Sequence, residues 1–206
     1  ALKHASAELK ADREIVLAAV DWAGWTLMHA SEELRKELMA DREFVLAVVQ
    51  DSASVLKYAS KELKADREIV LAAVQNYGKA LRHASDELRA DREIVLAAVQ
   101  KAGLKGGVNS PLEYASDELK ADREIVLAAV QKDGKALEYA SDEFRRDPEI
   151  IAAAVAQNSS ASRFALEKLP ADREVVLAAV QKDGRALEYA SDELRADREV
   201  VMAAVQ

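Results

Sequence analysis

Two groups of side chains recur along this 206-residue chain and have the types that enzymes use. The first is the triplet Asp-Arg-Glu, or a close variant, which places two carboxylates two positions apart. It begins at Asp12, Asp41, Asp66, Asp91, Asp122, Asp147, Asp172 and Asp197. Paired carboxylates perform general acid–base catalysis when different surroundings separate their pKa values. Near-copies of one motif share the same surroundings, so we interpret each triplet as a helix cap and an Arg–Glu ladder between neighbouring repeats, and we predict no catalytic residue.

The second group is a ring that recurs once per repeat. It is occupied in turn by His4, His29, Tyr58, His83, Tyr114, Tyr139, Phe164 and Tyr189. A metal site needs ligands that converge on one point, whereas these rings are one repeat apart. A position that accepts His, Tyr and Phe is typical of a flat, partly buried side chain. We therefore predict a structural ring, with no metal ion and no cofactor.

A glycine-rich insertion from Gly103 to Ser110 holds three of the seven glycines. Such a loop can bind phosphate through backbone N–H groups. This one lacks the Gly-Lys-Ser/Thr ending of a P-loop and follows a helical segment instead of a strand. We interpret it as a connector, and a loop that contacts a partner is the alternative.

The composition predicts helices to position all these residues. Alanine contributes 41 residues, whereas there are only 7 glycines, 3 prolines and 5% aromatic residues. Good helix formers thus dominate, and residues that form turns are scarce. The triplets recur mostly every 25 residues, a period typical of helical repeats.

Each repeat is predicted to contain two helices. An Asp cap opens the first, and Pro148 suits the first helical position after Asp147. Its apolar run, such as Ile125 to Val130, indicates an inner helix covered on several sides. The second helix is predicted to begin near Lys135, where Ser54, Ser110 and Ser160 align, and to end near the position of Pro170. Its predicted buried stripe is Leu137, Ala140 and Phe144.

A pair of short helices cannot bury its own apolar face, so stability must come from stacking repeats. We predict an all-α fold, an α-solenoid of tandem antiparallel helix pairs with right-handed superhelical stacking. One array covers residues 1–206 in about eight units that start near the eight triplets, with the first and last units incomplete. On this view the chain is a piece of a longer array.

The repeated motif resembles a family of tandem helical repeats known as domain of unknown function 4116. The resemblance rests on Asp-(Arg/Pro)-Glu-Val-Val-Leu-Ala-Ala-Val followed by Ala-Leu-Glu-Tyr-Ala-Ser, which matches most of the chain. Residues 51–54, which lack the glycine, and Ser162, which replaces the buried Leu, depart from it. The resemblance implies arrayed helical repeats used for interaction, and it implies no activity.

Charge and cysteine content exclude several classes of function. The net charge is −8, so the chain offers no basic footprint for the phosphates of DNA or RNA. No cysteine is available for disulfides, thiolate metal sites or nucleophilic catalysis. We also expect no membrane span, because apolar runs in the helical segments are short.

Positions that differ between repeats are the candidates for partner binding. They are the unusual Trp22 and Trp25, the outward positions Met28, Lys57, Arg82, Glu113, Glu138, Arg163 and Glu188, and Lys105 of the glycine-rich insertion. Large aromatic side chains are enriched at binding hot spots. The alternative for the tryptophans is packing over a four-residue extension, Lys36 to Met39, in the same unit. The outward charges, in turn, are also typical of a varied solvated surface.

These features predict a non-catalytic scaffold for protein–protein interaction, whose partner is a protein or a peptide. The alternative is a structural accessory subunit, bound permanently among neighbouring subunits of a larger assembly. Val200, Val201, Met202 and Val205 repeat the buried pattern at the last unit, where a solenoid cap would be polar. End-to-end self-association is therefore also expected.

Overall fold

The computed structural model describes residues 2–22, 24–102, 110–158, 160–166 and 171–206. Every regular element in these ranges is a helix, and consecutive elements pack on each other in tandem. The predicted all-α repeat fold of the solenoid type is therefore confirmed. The chain forms two compact units, residues 1–101 and 102–206, and each is described by itself below.

One long helix follows each Asp-Arg-Glu triplet. The long helices are Arg13–Trp22, Arg42–Asp51, Arg67–Asn76, Arg92–Lys101, Arg123–Lys132, Pro148–Gln157, Arg173–Val180 and Arg198–Ala204. The Asp of every triplet accepts a backbone N–H three residues on, as the Asp66 carboxylate does from Ile69 at 3.2 Å. Pro148 occupies the first turn, as predicted. The Asp side chains thus determine where the long helices begin.

The long helices form the core of each unit. In Arg123–Lys132, Ile125, Val126 and Val130 are fully buried. This helix packs against Pro148–Gln157, which packs in turn against Arg173–Val180. Burial of each Ile or Val side chain contributes about 1.5–3 kcal/mol, so stacking of the long helices supplies most of the stability.

The second segment of each repeat is not one continuous helix, in contrast to the sequence-based prediction. It begins as a 3₁₀ segment and continues, after two extended residues such as Ala84 and Ser85, as a short α-helix in most repeats. The 3₁₀ segments are Leu2–His4, Gly24–His29, Ala53–Tyr58, Gly78–His83, Pro111–Tyr114, Gly134–Tyr139 and Gly184–Tyr189. The short helices are Ala7–Lys10, Glu32–Leu38, Lys61–Lys64, Asp86–Arg89, Asp117–Lys120 and Asp192–Arg195, while Ala161–Leu166 is α-helical where the other repeats have a 3₁₀ segment.

A serine causes the interruption. Ser85 has extended backbone angles, φ −64° and ψ 163°, and its hydroxyl accepts a hydrogen bond from the N–H of Leu88 at 3.4 Å. A serine that caps a helix must itself lie outside it, so the chain restarts a helix there. The hydroxyl of Ser141, within the predicted second helix, likewise accepts a hydrogen bond from the N–H of Phe144. The predicted stripe of Leu137, Ala140 and Phe144 is nevertheless buried.

The same serines also join consecutive repeats. The backbone N–H of Ser85 donates to the carbonyl of Lys64, at the end of the preceding short helix, at 2.8 Å. Equivalent bonds join Ser31 to Lys10, Ser60 to Met39 and Ser141 to Lys120. Each of these bonds satisfies a carbonyl that a helix end would leave unpaired. One residue therefore caps its own short helix and holds it against the previous repeat.

Glycines at the start of the 3₁₀ segments allow close approach between repeats. A Cβ atom added at Gly134 would collide with the carbonyl oxygen of Ala154, in the next long helix, and one at Gly184 would collide with that of Ala204. Only glycine lacks this atom. The glycines are therefore required by packing between repeats.

Candidate binding cleft

Most of the candidate partner-binding residues lie on the 3₁₀ segments. Trp25, Met28, Lys57, Arg82, Glu138, Arg163 and Glu188 are exposed, and Glu113 is half-buried. Trp22 is the last residue of a long helix, and its side chain lies outside the described part of the structure. Lys105 also lies outside the described residues. The structure brings Trp25, Met28 and Lys57 together at one cleft, whereas the candidates Arg82, Glu113, Glu138, Arg163 and Glu188 do not line it.

This cleft has a volume of about 270 Å³ and lies where the 3₁₀ segments Gly24–His29 and Ala53–Tyr58 pack together. Leu27 and Val55, each 2% exposed, form its floor. Its rim consists of Trp25, Met28, Arg35, Lys57, Tyr58 and His83. Three successive repeats therefore contribute side chains to one concave site.

Gly24 permits the close packing beneath the cleft. An added Cβ would lie 2.7 Å from the Cβ of Ser52 and 3.1 Å from Cγ1 of Val48. These atoms belong to the end of the following long helix and its cap. The absence of a side chain at Gly24 therefore lets the two repeats approach each other and places Trp25 beside the next 3₁₀ segment.

Contacts between rim residues hold the ring of Tyr58 in place. Its hydroxyl donates a hydrogen bond to the sulfur of Met28 at 3.2 Å, across the boundary between two repeats. The Nζ atom of Lys57 lies 5.3 Å from the centroid of the same ring, within cation–π range. The rim thus combines a thioether, a phenol and an ammonium group in a preorganised arrangement.

Trp25 is the most exposed large apolar side chain at the cleft. Its relative exposure is 57%, and that of Met28 is 48%. The indole packs edge-on against His29, with ring centroids 5.8 Å apart and an angle of 86° between the planes. Leu38 and Met39, the apolar residues of the four-residue extension that the tryptophans would cover under the packing alternative, are buried although the Trp25 ring is exposed. More than half of the Trp25 side chain is therefore exposed to solvent.

The cleft is electropositive although the chain as a whole is acidic. Within the part of the chain that the structure describes, neither Arg35 nor Lys57 forms an ion pair with a carboxylate. Burial and the positive charges of Arg82, Lys64 and Lys57 lower the pKa of His83 to about 4. His83 is therefore neutral near pH 7, while Lys57 and Arg82 are exposed cations and the half-buried Arg35 interacts electrostatically with Glu32.

A second cleft, of about 540 Å³, adjoins the other side of Trp25. Its lining includes Lys3, His4 and His29. Thr26, also in the lining, donates a hydrogen bond from its hydroxyl to the carbonyl of Ala19 at 2.8 Å and so ties the 3₁₀ segment to its own long helix. Trp25 therefore stands between two concave surfaces of the same unit.

The Asp-Arg-Glu triplets form the predicted caps and inter-repeat ladder. Arg42 contacts Asp66 at 2.7 Å and also pairs with Glu68, both in the following triplet. The same arrangement links Arg67, Arg123 and Arg173 to the carboxylates of the triplet after each. Burial opposes ionisation of Asp66, yet hydrogen bonds from Arg42 and the backbone outweigh it and lower its pKa. These carboxylates thus serve as caps and ion-pair partners.

The recurring rings do not converge. His29, Tyr58, His83, Tyr114 and Tyr139 are half-buried, whereas His4 and Tyr189 are exposed and the side chain of Phe164 is not described. Among the described residues, no three His, Cys, Asp or Glu side chains lie close enough together to hold a metal ion. Burial, followed by the charges of Glu113 and Glu138, raises the pKa of the Tyr139 hydroxyl. In five of the repeats the ring is half-buried, as expected of a structural position.

The repeats are characteristic of one known family. The profile of the domain of unknown function DUF4116 matches residues 1–35, 41–89, 66–120, 91–145, 122–169 and 172–206. The chain belongs to this family. As a member, it is a helical-repeat protein, and the family description carries no activity. None of the curated proteins and none of the solved structures compared with it gives a significant match.

No helix among the described residues has both the length and the apolar character needed to cross a membrane.

Sequence reasoning missed part of the cleft. The sequence did not indicate Arg35 as a candidate, because most candidate positions lie on the first half of the second segment. Arg35 lies on the short helix that follows, which the extension Lys36 to Met39 lengthens. Tyr58 and His83 were assigned only to the structural ring position, although both also line the cleft. The extension was the one available signal that the surface of this repeat differs from that of its neighbours.

Proposed function

We propose that the protein is a non-catalytic scaffold that binds other proteins or peptides through the outward face of its 3₁₀ segments. The observation that carries this proposal is the 57% exposure of Trp25 in a cleft shared by successive repeats. An exposed tryptophan beside a concave apolar surface has the character of a binding hot spot. The regular repeats supply the rigid support, and the differences at their surface supply recognition.

Two further observations support a binding role in preference to catalysis or nucleic-acid recognition. The carboxylates of the triplets are engaged as helix caps and ion-pair partners, which leaves them unsuited to proton transfer. The net charge of −8 opposes association with a phosphate backbone.

The alternative is a structural accessory subunit that stacks permanently on neighbouring subunits or on another copy of the chain. Exposed apolar side chains at Leu9, Ile15, Met202 and Val205 favour it, with exposures of 45%, 39%, 44% and 71%. Burial of such side chains in a stable interface would contribute about 25 cal/mol per Å².

Site-specific photo-crosslinking in the native source tests the proposal. A benzophenone amino acid replaces Met28 at the cleft and, as the control, Glu43 on the exposed part of a long helix. A scaffold gives protein crosslinks at position 28 that are lost when a wash in moderate salt precedes irradiation. A stoichiometric complex that survives the wash favours the accessory subunit, and the absence of any protein crosslink overturns both.

A further inference from the structure

We propose that the 270 Å³ cleft binds an acidic peptide segment, which inserts one apolar side chain between Trp25 and Tyr58 and places carboxylates against Arg35 and Lys57. This inference rests on the proposed scaffold function and specifies the chemistry of its partner. It concerns only side chains of the first compact unit.

The size of the cleft indicates an inserted side chain. Small-molecule sites typically have volumes of about 300–1,000 Å³ and enclose most of the ligand. The volume of the cleft lies just below this range. Its floor is apolar, because it is formed by Leu27 and Val55, each 2% exposed. Such a site suits one aliphatic or aromatic side chain, with the rest of the peptide on the exposed rim.

The charge of the rim determines what flanks the inserted side chain. Arg35 and Lys57 form no ion pair within the described ranges, and Arg82 and Lys64 are near enough to depress the pKa of His83. An unpaired cluster of cations attracts anionic groups and repels cationic ones. The positions equivalent to Lys57 in residues 110–206 are Glu113, Glu138, Arg163 and Glu188, of which three are acidic. The preference for acidic peptides is therefore a property of this part of the array.

The spacing of the repeats determines where the carboxylates should lie. Met28, Lys57 and Arg82 occupy the same exposed position in successive 3₁₀ segments. Packed helices are separated by about 8–10 Å, and an extended peptide advances about 3.3 Å per residue. About three peptide residues thus cover one repeat. With the apolar anchor near Met28, the carboxylate opposite Lys57 should therefore lie about three positions away in the peptide.

Selection of peptides against the full 206-residue chain tests the proposal. The probe is a phage-displayed library of random twelve-residue peptides, and enriched peptides are resynthesised with a fluorescein label for anisotropy titrations. The expected result is enrichment of sequences with an apolar anchor and acidic residues on one side of it. Replacement of the anchor by Ala, or of the acids by their amides, should each weaken binding by at least about tenfold.

Variants of the chain locate the site. Trp25→Ala and the double variant Arg35→Glu, Lys57→Glu should each weaken binding at least about tenfold. The controls are Tyr77→Ala, an aromatic residue with 52% exposure away from the cleft, and Lys61→Glu, an exposed lysine outside it. The controls should leave the affinity within about twofold, and circular dichroism confirms that each variant is folded.

Several outcomes overturn the proposal: no enriched peptide, enrichment of basic or uncharged peptides, or binding that folded Trp25→Ala retains. A concentration-dependent molecular mass that Trp25→Ala abolishes would assign the cleft to a second copy of this chain and overturn it as well. If crosslinking captures a protein while the cleft binds no acidic peptide, the scaffold function stands and this inference fails. If the cleft binds the peptides while no protein crosslinks, the scaffold function fails.

Discussion

The backbone N–H of Ser85 donates to the carbonyl oxygen of Lys64 at 2.8 Å, while the hydroxyl of Ser85 caps the short helix Asp86–Arg89. One residue therefore stabilises its own repeat through its side chain and joins the preceding repeat through its backbone. The two contributions are separable by mutation, because an alanine removes only the hydroxyl and a proline also removes the N–H.

Ser85→Ala should lower the free energy of unfolding by about 1 kcal/mol, the usual cost of a lost N-cap. Ser85→Asp keeps an acceptor and should be nearly neutral. Ser85→Pro should cost at least about 1 kcal/mol more than Ser85→Ala, since the bond to Lys64 is lost as well. Urea denaturation of the three variants measures these differences. Equal losses for the alanine and proline variants would show that the inter-repeat bond contributes nothing.

Gly134→Ala should destabilise the second compact unit by about 1–3 kcal/mol, because the new Cβ collides with the carbonyl of Ala154. The sign of the change in the free energy of unfolding shows whether the new Cβ collides with its neighbour. Where no collision occurs, Gly→Ala stabilises by about 0.4–1 kcal/mol. Lys135→Ala, at the exposed next position, is the control. Calorimetric melting that shows Gly134→Ala to be stabilising would contradict the close approach.

Tyr139→Phe should change stability by less than about 0.5 kcal/mol, because Phe164 occupies the equivalent position in the next repeat. Tyr139→Ala should cost about 2 kcal/mol, less than for a fully buried ring, because Tyr139 is half-buried. Thermal melts of both variants measure the difference. A large loss on Tyr139→Phe would show that the hydroxyl is essential and would refute the interpretation of this position as a structural ring.

The stability of the first compact unit should fall as the pH decreases from about 6.5 to about 4. The folded state lowers the pKa of His83 to about 4 from its usual value near 6.5. Between these values the unfolded chain binds the proton more readily, so the free energy of unfolding rises with pH, by roughly 1–3 kcal/mol in all. His83→Tyr, which places there the ring found at Tyr58 and Tyr114, should remove this dependence.

Urea unfolding at pH 7, 5.5 and 4.5 measures the effect of His83, with His4→Tyr as the control for an exposed histidine. An unchanged pH slope in His83→Tyr would exclude His83 as its source. The ion-pair ladder contributes a separate effect, because hydrogen bonds and the positive charges of Arg42 and Arg67 lower the pKa values of Asp66 and Asp91, and this contribution is also lost as the solution becomes more acidic.

Trp25→Ala should leave the free energy of unfolding within about 1 kcal/mol of wild type, since more than half of the ring is already exposed. Affinity for a partner identified by crosslinking should fall by at least about 2 kcal/mol. Tyr77→Ala is the control, as an aromatic residue of similar exposure. A lower melting temperature with unchanged affinity of the folded protein would assign Trp25 to packing, and partner binding to other exposed residues.

The sequence alone determined the period, the starts of the long helices and the identity of the core. Each depends on groups a few residues apart: Asp66 caps the N–H of Ile69 three residues on, and Ile125 and Val126 belong to an apolar run that needs cover on several sides. Because the same caps and apolar runs recur in successive repeats, the pattern of one repeat predicted the long helices of the others. The handedness of stacking and the continuity of a single array stay predictions.

The tertiary structure decided what the second segment does and where a ligand could bind. Ala140 and Ser141 fit a continuous helix by apolar spacing, yet the Ser cap and the bond to Lys120 favour an interruption. The cleft depends on contacts between residues about one repeat apart, such as Tyr58 with Met28, and on Arg35 from a lengthened short helix. No local hydrogen bond or apolar spacing encodes such contacts, because the packing distance between repeats determines them.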